Sequence, residues 1–381
     1  MSFGLASTSS NIPQSQQAVV QDATGQPIFI SNLPLPILYP GTVLVRTRAL
    51  AINPFDFKMG TFHPCPGTII GNDFAGVVVE LGPPGAQGTN TSISIGDSVF
   101  GTVHGSNATD KFSGAFAEFV RADLDLLLRL PSGLKYEDAV TLGLSLTTSF
   151  CALCKEGLGL DLEQIEEDSS VSHNSDEMLD VRPQKIPVLV YGASTSVGAT
   201  AIQLLRLAGF APLATCSSHN FDMVRDRGAT AVFDHSAPGA AVEVSKQAGG
   251  QLHHALDCIV DETSITFCNA AMGRTGGRCA CLELWPPGIQ RPRRAVRTCF
   301  VMALEVFGKE VSLPGDYHRS ANLEKRALAI QFLTRCQKLL DAGLLQPHPK
   351  RIIPGRLSGV LEGIRLLKSG CISGTKLVVS M

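Results

Sequence analysis

An apolar run at residues 186–191 leads into Tyr191-Gly192-Ala193-Ser194-Thr195-Ser196-Val197-Gly198, and a second apolar run at 199–208 leads out. No other stretch constrains the fold as much. A strand, a small-residue turn and a helix together make a phosphate cradle. Small side chains let the backbone approach a pyrophosphate, and the helix N-terminus offers free N–H donors and a partial positive charge. Read alone, the same pattern also suits an ordinary strand–turn–helix, because Ser196 stands where such motifs place their second-to-last glycine.

The sequence downstream narrows the choice. Strands are expected at 212–216, 231–233, 256–259 and 277–282, with a helix at 221–227, which is the rhythm of a doubly wound parallel sheet. The second strand ends in Thr215-Cys216-Ser217-Ser218-His219-Asn220. Dinucleotide sites that prefer NADH place an acidic residue at such a turn to bind the ribose 2′-hydroxyl. Here there is none. Ser217 and Ser218 open a helix instead, and Arg225 follows within two turns. Hydroxyls, helix N–H groups and a cation suit a 2′-phosphate, so the pattern favours NADPH. Either serine also serves as a helix N-cap, and one residue can do both.

The first half has a different texture. Short strands at 43–51, 75–81 and 98–102 alternate with Gly- and Pro-rich turns, so residues 20–130 read as β-rich. A helix is expected over 136–153, with Glu137 and Asp138 near its positive end. Residues 160–182 are acidic, Ser-rich and poor in large apolar side chains, as in a surface insertion. The last stretch, 344–381, returns to the first domain through a final strand at 376–380.

Composition excludes several classes. The 381 residues carry 32 basic and 34 acidic side chains, a net charge of -2, which gives no footing for nucleic acid or an anionic membrane. No run approaches a membrane span, and the polar start at 1–17 lacks the features of a secretory signal, so a cytoplasmic protein is expected. Eleven cysteines do not form a zinc or disulfide framework. Cys151 and Cys154 share one helix, and Cys279 and Cys281 alternate on a strand with one facing the core. Buried free thiols are the expected state. His63 and Cys65 lie close together, but Pro64 and Pro66 mark a turn and no further ligands converge on them.

Several blocks, in order, carry a resemblance: Asn53-Pro54-Phe55-Asp56-Phe57-Lys58, then Pro66 through Val78 with Gly71-Asn72-Asp73-Phe74-Ala75-Gly76, then Gly96-Asp97-Ser98-Val99-Phe100-Gly101. Gly114-Ala115-Phe116-Ala117-Glu118-Phe119 and the closing Ser373-Gly374-Thr375-Lys376-Leu377-Val378-Val379 complete the series. Together with the nucleotide turn, these resemble the medium-chain dehydrogenase/reductase family over nearly the whole chain. The resemblance implies an α/β protein: a GroES-like β-rich catalytic domain at 1–155 and 345–381, an acidic insertion at 156–185, and a Rossmann domain with a doubly wound parallel sheet at 186–344.

The zinc-dependent branch has a Cys near the first block and a His-Glu pair in the second. This chain has Asn53 and Asn72-Asp73 there, and it lacks the four-cysteine zinc lobe. It is therefore similar to the zinc-independent branch, and within it to the trans-acting enoyl reductases of fungal iterative polyketide synthases. That resemblance implies NADPH contacts from Asn53, Pro54, Phe55 and Asp56, from Ser194, Thr195, Ser196 and Val197, and from Ser217, Ser218, His219 and Asn220. Leu282, Glu283, Ser373 and Gly374 complete the set, with His235 standing where the family carries an aromatic, usually Tyr. It also implies an acyl channel lined by Thr141, Leu142, Gly143, Leu144, Ser145, Leu146, Thr147 and Thr148, and by Phe307, Gly308, Lys309, Glu310 and Val311.

The chemistry implied is hydride addition to Cβ of an α,β-unsaturated thioester, with charge developing on the carbonyl oxygen. Lys58 is the candidate catalytic cation, as oxyanion or phosphate partner, or else a solvated surface lysine. Arg291, Arg293, Arg294 and Arg297 form a basic cluster that suits an acidic acyl carrier protein of a polyketide synthase, alone or fused to a nonribosomal peptide synthetase; a solvated loop and helix start is the more ordinary reading of the same residues. A monomer is expected. Two other functions fit the same fold: a stand-alone NADPH-dependent quinone or enone reductase, and a catalytically silent nucleotide-binding partner protein.

Overall fold

Residues 12–83, 93–162, 185–289 and 293–381 are described by the structure, a computed structural model. Residues 163–184 of the acidic segment, the first eleven residues and Arg291 lie outside the described residues. In chain order come β1 (Ser15–Gln21), β2 (Pro27–Pro34), β3 (Thr42–Ile52), α1 (Pro54–Phe62), β4 (Asp73–Leu81), β5 (Ser98–Thr102), β6 (Phe119–Asp123), β7 (Leu128–Arg129) and α2 (Tyr136–Ala139). Next are α3 (Gly143–Leu153), β8 (Pro187–Tyr191), α4 (Ser196–Leu207), β9 (Ala211–Cys216), α5 (Phe221–Asp226), β10 (Ala231–Asp234), α6 (Ala240–Gln247), β11 (His254–Asp257), α7 (Glu262–Ala271), β12 (Gly277–Cys281) and β13 (Val296–Phe300). The chain closes with α8 (Leu323–Asp341), β14 (Lys350–Ile353), α9 (Leu357–Lys368) and β15 (Lys376–Ser380).

Two compact units result. One comprises the described residues of Met1–Gly143 with Lys350–Cys371 and Lys376–Met381; the other comprises those of Leu144–Pro349 with Ile372–Thr375. The first is built on a sheet in the order β14-β15-β3-β4-β5-β7. Its centre is β3, eleven residues long, which pairs with β4 along one edge and with β6 and then β15 along the other. β3 is buried from Thr42 to Val45 and again from Ala49 to Ile52, and Phe74, Phe100 and Phe116 of the same unit are fully buried. The second unit carries a parallel sheet in the order β10-β9-β8-β11-β12-β13. β8 is buried from Val188 to Tyr191, as expected of a strand covered on both faces. Strand order reverses between β8 and β11, and at that switch point ligands sit beyond the carboxyl ends of the strands in such sheets.

Four expectations need correction. The single helix over 136–153 is two. Val140 ends α2, Thr141 Oγ1 donates to the Asp138 carbonyl (2.7 Å), and the chain resumes helix at Gly143. A Cβ on Gly143 would lie 2.5 Å from both Asp73 Oδ1 and the Gly101 carbonyl, so this close approach fixes a glycine at the break. The helix after the nucleotide turn begins at Ser196 rather than 199, because Thr195 caps it. Cys279 and Cys281 share one face of β12: both are buried and their sulfurs lie 3.9 Å apart, since residues two apart on a strand point the same way. All eleven cysteines are free thiols, and Cys154 lies just past the end of α3. Among the described residues no helix is long and apolar enough to cross a membrane.

Candidate functional site

In the first unit the Asn53–Lys58 block forms the start of α1. Pro54 occupies the first helical position, where a missing N–H costs nothing. Asp56 Oδ2 accepts from the Asn53 backbone N–H (2.7 Å), and Asn53 Nδ2 donates to Asp73 Oδ2 (2.9 Å). Lys376 Nζ reaches the same Asp73 oxygen (2.7 Å) and lies 3.5 Å from the Thr141 carbonyl. Asn53, Asp56, Asp73 and Lys376 are all buried. Asp73 is thus paired with a buried ammonium, and Asp56 lies close enough to feel both charges. Burial pushes the Asp56 carboxyl well up; the Asn53 N–H opposes this, and the charge of Asp73 adds to it. Asp56 Oδ1 is buried without a hydrogen-bond partner. Phe55 and Lys58 are half-buried and Pro54 is exposed.

In the second unit the glycine-rich turn closes on itself. Gly192 has φ of +76°, a left-handed conformation that glycine alone adopts at no steric cost. Thr195 Oγ1 donates to the Gly192 carbonyl (2.8 Å) and accepts from the Gly198 N–H (3.0 Å). A Cβ on Gly198 would collide with the Gly192 carbonyl oxygen, so the turn and the first turn of α4 are as close as backbone allows. Ser194, Ser196 and Val197 are half-exposed along this turn. At the second turn, Ser217 precedes a short 3-10 helix, Ser218–Asn220, with Ser218 and His219 exposed. Ser373, 153 residues away from Asn220, meets it there: Asn220 Nδ2 donates to Ser373 Oγ (2.9 Å), and His219 Nε2 lies 3.1 Å from the same oxygen. Gly374 packs directly on the Asn220 side chain. Arg225 donates to Asp222 (3.1 Å) and lies over the Phe221 ring.

His235 follows β10, with its ring edge-on to Tyr191 at 6.0 Å. Its Nδ1, and Thr215 Oγ1 at the end of β9, are buried without hydrogen-bond partners. A tight glycine cradle and orphaned polar atoms at the carboxyl ends of three neighbouring strands fit a nicotinamide dinucleotide. Beyond β12, Leu282 is half-buried and Glu283 accepts from the Tyr317 hydroxyl (2.7 Å).

The acyl-channel candidates fall in both units. Thr141, Leu142 and Gly143 belong to the first; the rest of α3 belongs to the second. Thr147 and Thr148 hydroxyls donate back to the Leu144 carbonyl, and Thr200 Oγ1 donates to Ser145 Oγ (3.0 Å). Leu146 is fully buried, whereas Leu144 is only half-buried. Phe307 and Val311 are buried, Gly308 is left-handed (φ +67°), and Lys309 and Glu310 are exposed.

Other singled-out residues take structural places. Arg293 Nη2 donates to the carbonyls of Asn269, Met272 and Gly273, satisfying the exposed end of α7. Arg294 and Arg297 remain exposed. Asn72 Nδ2 is engaged by the Val103 carbonyl (2.7 Å), and among the described residues no group of three or more His, Cys, Asp or Glu could hold a metal ion. Sequence reasoning missed a cavity of about 170 Å³ in the second unit, lined by Cys151, Phe300, Met302 and the charged set Glu156, Glu305, Arg319 and Lys325. Lys325 bridges Glu156 (2.6 Å) and Glu305 (3.0 Å) while buried. The partners come from three separate segments, and no local signal joins them.

A β-rich unit with this block order, in one chain with a switch-point nucleotide turn, defines a medium-chain dehydrogenase/reductase, a nicotinamide-dependent oxidoreductase. Residues 39–132 match the alcohol dehydrogenase GroES-like domain. A solved alcohol dehydrogenase superfamily protein from Novosphingobium aromaticivorans shares the fold at a TM-score of 0.74 and 22% identity, over 96% of this chain and 100% of that one. The chain is 41% identical to trans-enoyl reductase poxP of Penicillium oxalicum over 369 residues, 97% of this chain and 94% of the relative. It is 41% identical to trans-enoyl reductase TwmE of Talaromyces wortmannii over 374 residues, 95% of this chain and 97% of the relative. This chain belongs to the trans-enoyl reductase family.

Proposed function

We propose that this enzyme reduces the α,β-double bond of an unsaturated polyketide thioester carried on the acyl carrier protein of an iterative polyketide synthase. NADPH is the reductant and no zinc takes part. Family membership supports the reaction class. The cofactor choice is carried by one observation: the turn at Ser217–Asn220 has no carboxylate, Ser218 is exposed, and the adjacent His219 lies 3.1 Å from the Ser373 hydroxyl. A carboxylate there would repel a 2′-phosphate, whereas hydroxyls and helix N–H groups attract it.

When bound, the reduced dinucleotide supplies the hydride. The thioester conjugation directs it to Cβ, so negative charge collects on the carbonyl oxygen until Cα is protonated. The chain must orient the substrate, exclude water and offset that charge. Lys58, on α1 beyond the Asn53–Asp56 cap, is the cation we assign to the oxyanion or a phosphate. The donor set at the positions of the zinc-branch ligands supports a metal-free reaction, because Asn53 and Asp73 are bonded to each other and Asp73 is neutralised by Lys376. Arg294 and Arg297 form the basic face we assign to the acidic carrier protein; Arg293 is already engaged. Eleven free thiols favour a reducing, cytoplasmic setting, and we take the chain to act as a monomer.

The test is NADPH oxidation with an enoyl group tethered to a carrier protein, set beside the same group as a free thioester and beside quinones. Turnover on both thioesters, faster on the tethered one, is expected. Turnover on quinones alone would replace this reading with that of a stand-alone quinone reductase.

A further inference from the structure

The cavity in the second unit adjoins both stretches of acyl-channel candidates that belong to that unit. Leu144, Thr148 and Cys151 recur at helical spacing, so Cys151, which lines the cavity, continues the α3 face that carries the two candidates. Glu305, also in the lining, sits on the short 3-10 helix Ala303–Phe307 that ends in the candidate Phe307. Arg319, a third lining residue, is clipped to the candidate Val311. Each backbone N–H of that pair donates to the other's carbonyl (2.9 and 3.1 Å).

A plain hydrocarbon tail is a poor match for these walls. Phe300, Val301 and Met302 are apolar, but Lys325, Arg319, Glu156 and Glu305 are charged. Covering charged groups with hydrocarbon strips their water and returns no hydrogen bond. What the walls still offer is donors. Lys325 has three N–H groups; Glu156 takes one (2.6 Å), Glu305 another (3.0 Å), and the third has no partner among the described residues. Arg319 Nη1 donates to the Asp316 and His318 carbonyls (2.7 Å each), and Nε lies 3.7 Å from Glu305. Its guanidinium lies over the Phe300 ring, which Tyr317 meets edge-on, so its plane is held in place. Both carboxylates are already engaged, and two cations balance two anions. Such walls suit a neutral oxygen acceptor. A carboxylate would lie near Glu305 and Glu156 with no surplus cation to receive it.

We propose that this cavity is a polar end to the acyl site, selecting chains that carry a ketone or hydroxyl oxygen on the tail remote from the thioester. Arg319 and Lys325 donate to that oxygen, while Cys151 and Met302 flank the adjoining carbons. The volume of about 170 Å³ is room for a short oxygen-bearing segment and not for a whole acyl chain. The inference rests on the reading of this chain as a reductase of polyketide enoyl thioesters, and it names the kind of chain such an enzyme would prefer.

The experiment is kcat/KM for reduction of free 2-enoyl thioesters of graded tail length by the full chain with NADPH. At each length one tail is all carbon, others carry a single ketone or hydroxyl moved carbon by carbon, and one ends in a carboxylate. One position of the neutral oxygen should raise kcat/KM about tenfold over the all-carbon tail, as expected of one hydrogen bond to a charged donor partly open to water. The carboxylate tail should gain nothing. Arg319→Met should bring the ratio of oxygenated to all-carbon rates within about twofold of unity. That ratio is read inside one protein, so it does not depend on how much of the variant is folded. Equal rates for the wild type wherever the oxygen stands would overturn the proposal, even if Arg319→Met fails to fold. A preference that survives Arg319→Met, or that is strongest for the carboxylate, would overturn it too. A wild-type chain that reduces no enoyl thioester at all would instead remove the reaction itself, and the all-carbon series alone reveals that outcome.

Discussion

The two units build their candidate sites from opposite materials. In the first, the candidate positions are fixed by buried polar and charged groups, Lys376, Asp73, Asn53 and Asp56, of which Lys376 and Asp73 lie 303 residues apart. In the second, the cradle is nearly all backbone, closed by Gly192, Gly198 and a single threonine hydroxyl. A charge network fails when one partner is lost, because the remainder is left buried and unpaired. A backbone turn loses one bond at a time. The two units should therefore differ sharply in how they tolerate single substitutions.

The largest effect is expected at Lys376. Its removal in Lys376→Met leaves the fully buried Asp73 carboxylate without its cation, at a cost of about 3–5 kcal/mol. Chemical denaturation of the full chain measures this, and a loss below about 1 kcal/mol would mean the cluster is wetter than its burial implies. Lys325→Met in the second unit should cost less, about 2–3 kcal/mol, because Glu156 is more than half exposed and regains water when released. If Lys325→Met proves the more damaging of the two, the contrast between the units fails.

The contrast also explains what was legible beforehand. The nucleotide unit announces itself locally, since Gly192 to Gly198 and the strand and helix on either side lie within one short stretch, and period and turn chemistry carry the reading. The helix start at Ser217 to Asn220 was legible for the same reason. The break at Gly143 was not, because what forbids a side chain there is Asp73 and Gly101, which no window around residue 143 contains. Lys376 read as the start of a final strand and as part of the closing block, with no partner assigned; its salt bridge depends on β15 pairing with β3. The left-handed Val260 just past β11 (φ +61°) gave no signal at all, since nothing in Asp257-Cys258-Ile259-Val260 marks it.

A smaller effect follows from Asp56. Its carboxyl is raised in the folded chain above the ordinary value of 3.8, mainly by burial. A raised acid stabilises the fold below the unfolded value, where both states are protonated, and that contribution is lost as pH climbs toward the folded value. Between those limits the wild type should lose up to about 1.4 kcal/mol per pH unit relative to Asp56→Asn, whose side chain does not titrate. Denaturation midpoints of the two proteins, followed upward from pH 4, should diverge in favour of the variant. Parallel curves would show that Asp56 ionises normally and that Lys376 serves both carboxylates.

The smallest effect tests the backbone-built site. Thr195→Ala removes the cap of α4 and its bond to the Gly192 carbonyl, while every N–H of the cradle stays in place. A lost N-cap costs about 1 kcal/mol, so the chain should fold and still bind NADPH, more weakly by a modest factor. Thr195→Ser keeps both hydrogen bonds and should restore affinity in full. Were Thr195→Ala to abolish binding outright, the hydroxyl itself and not the main chain would be the principal phosphate ligand. The second unit would then depend on one side chain as heavily as the first depends on Lys376.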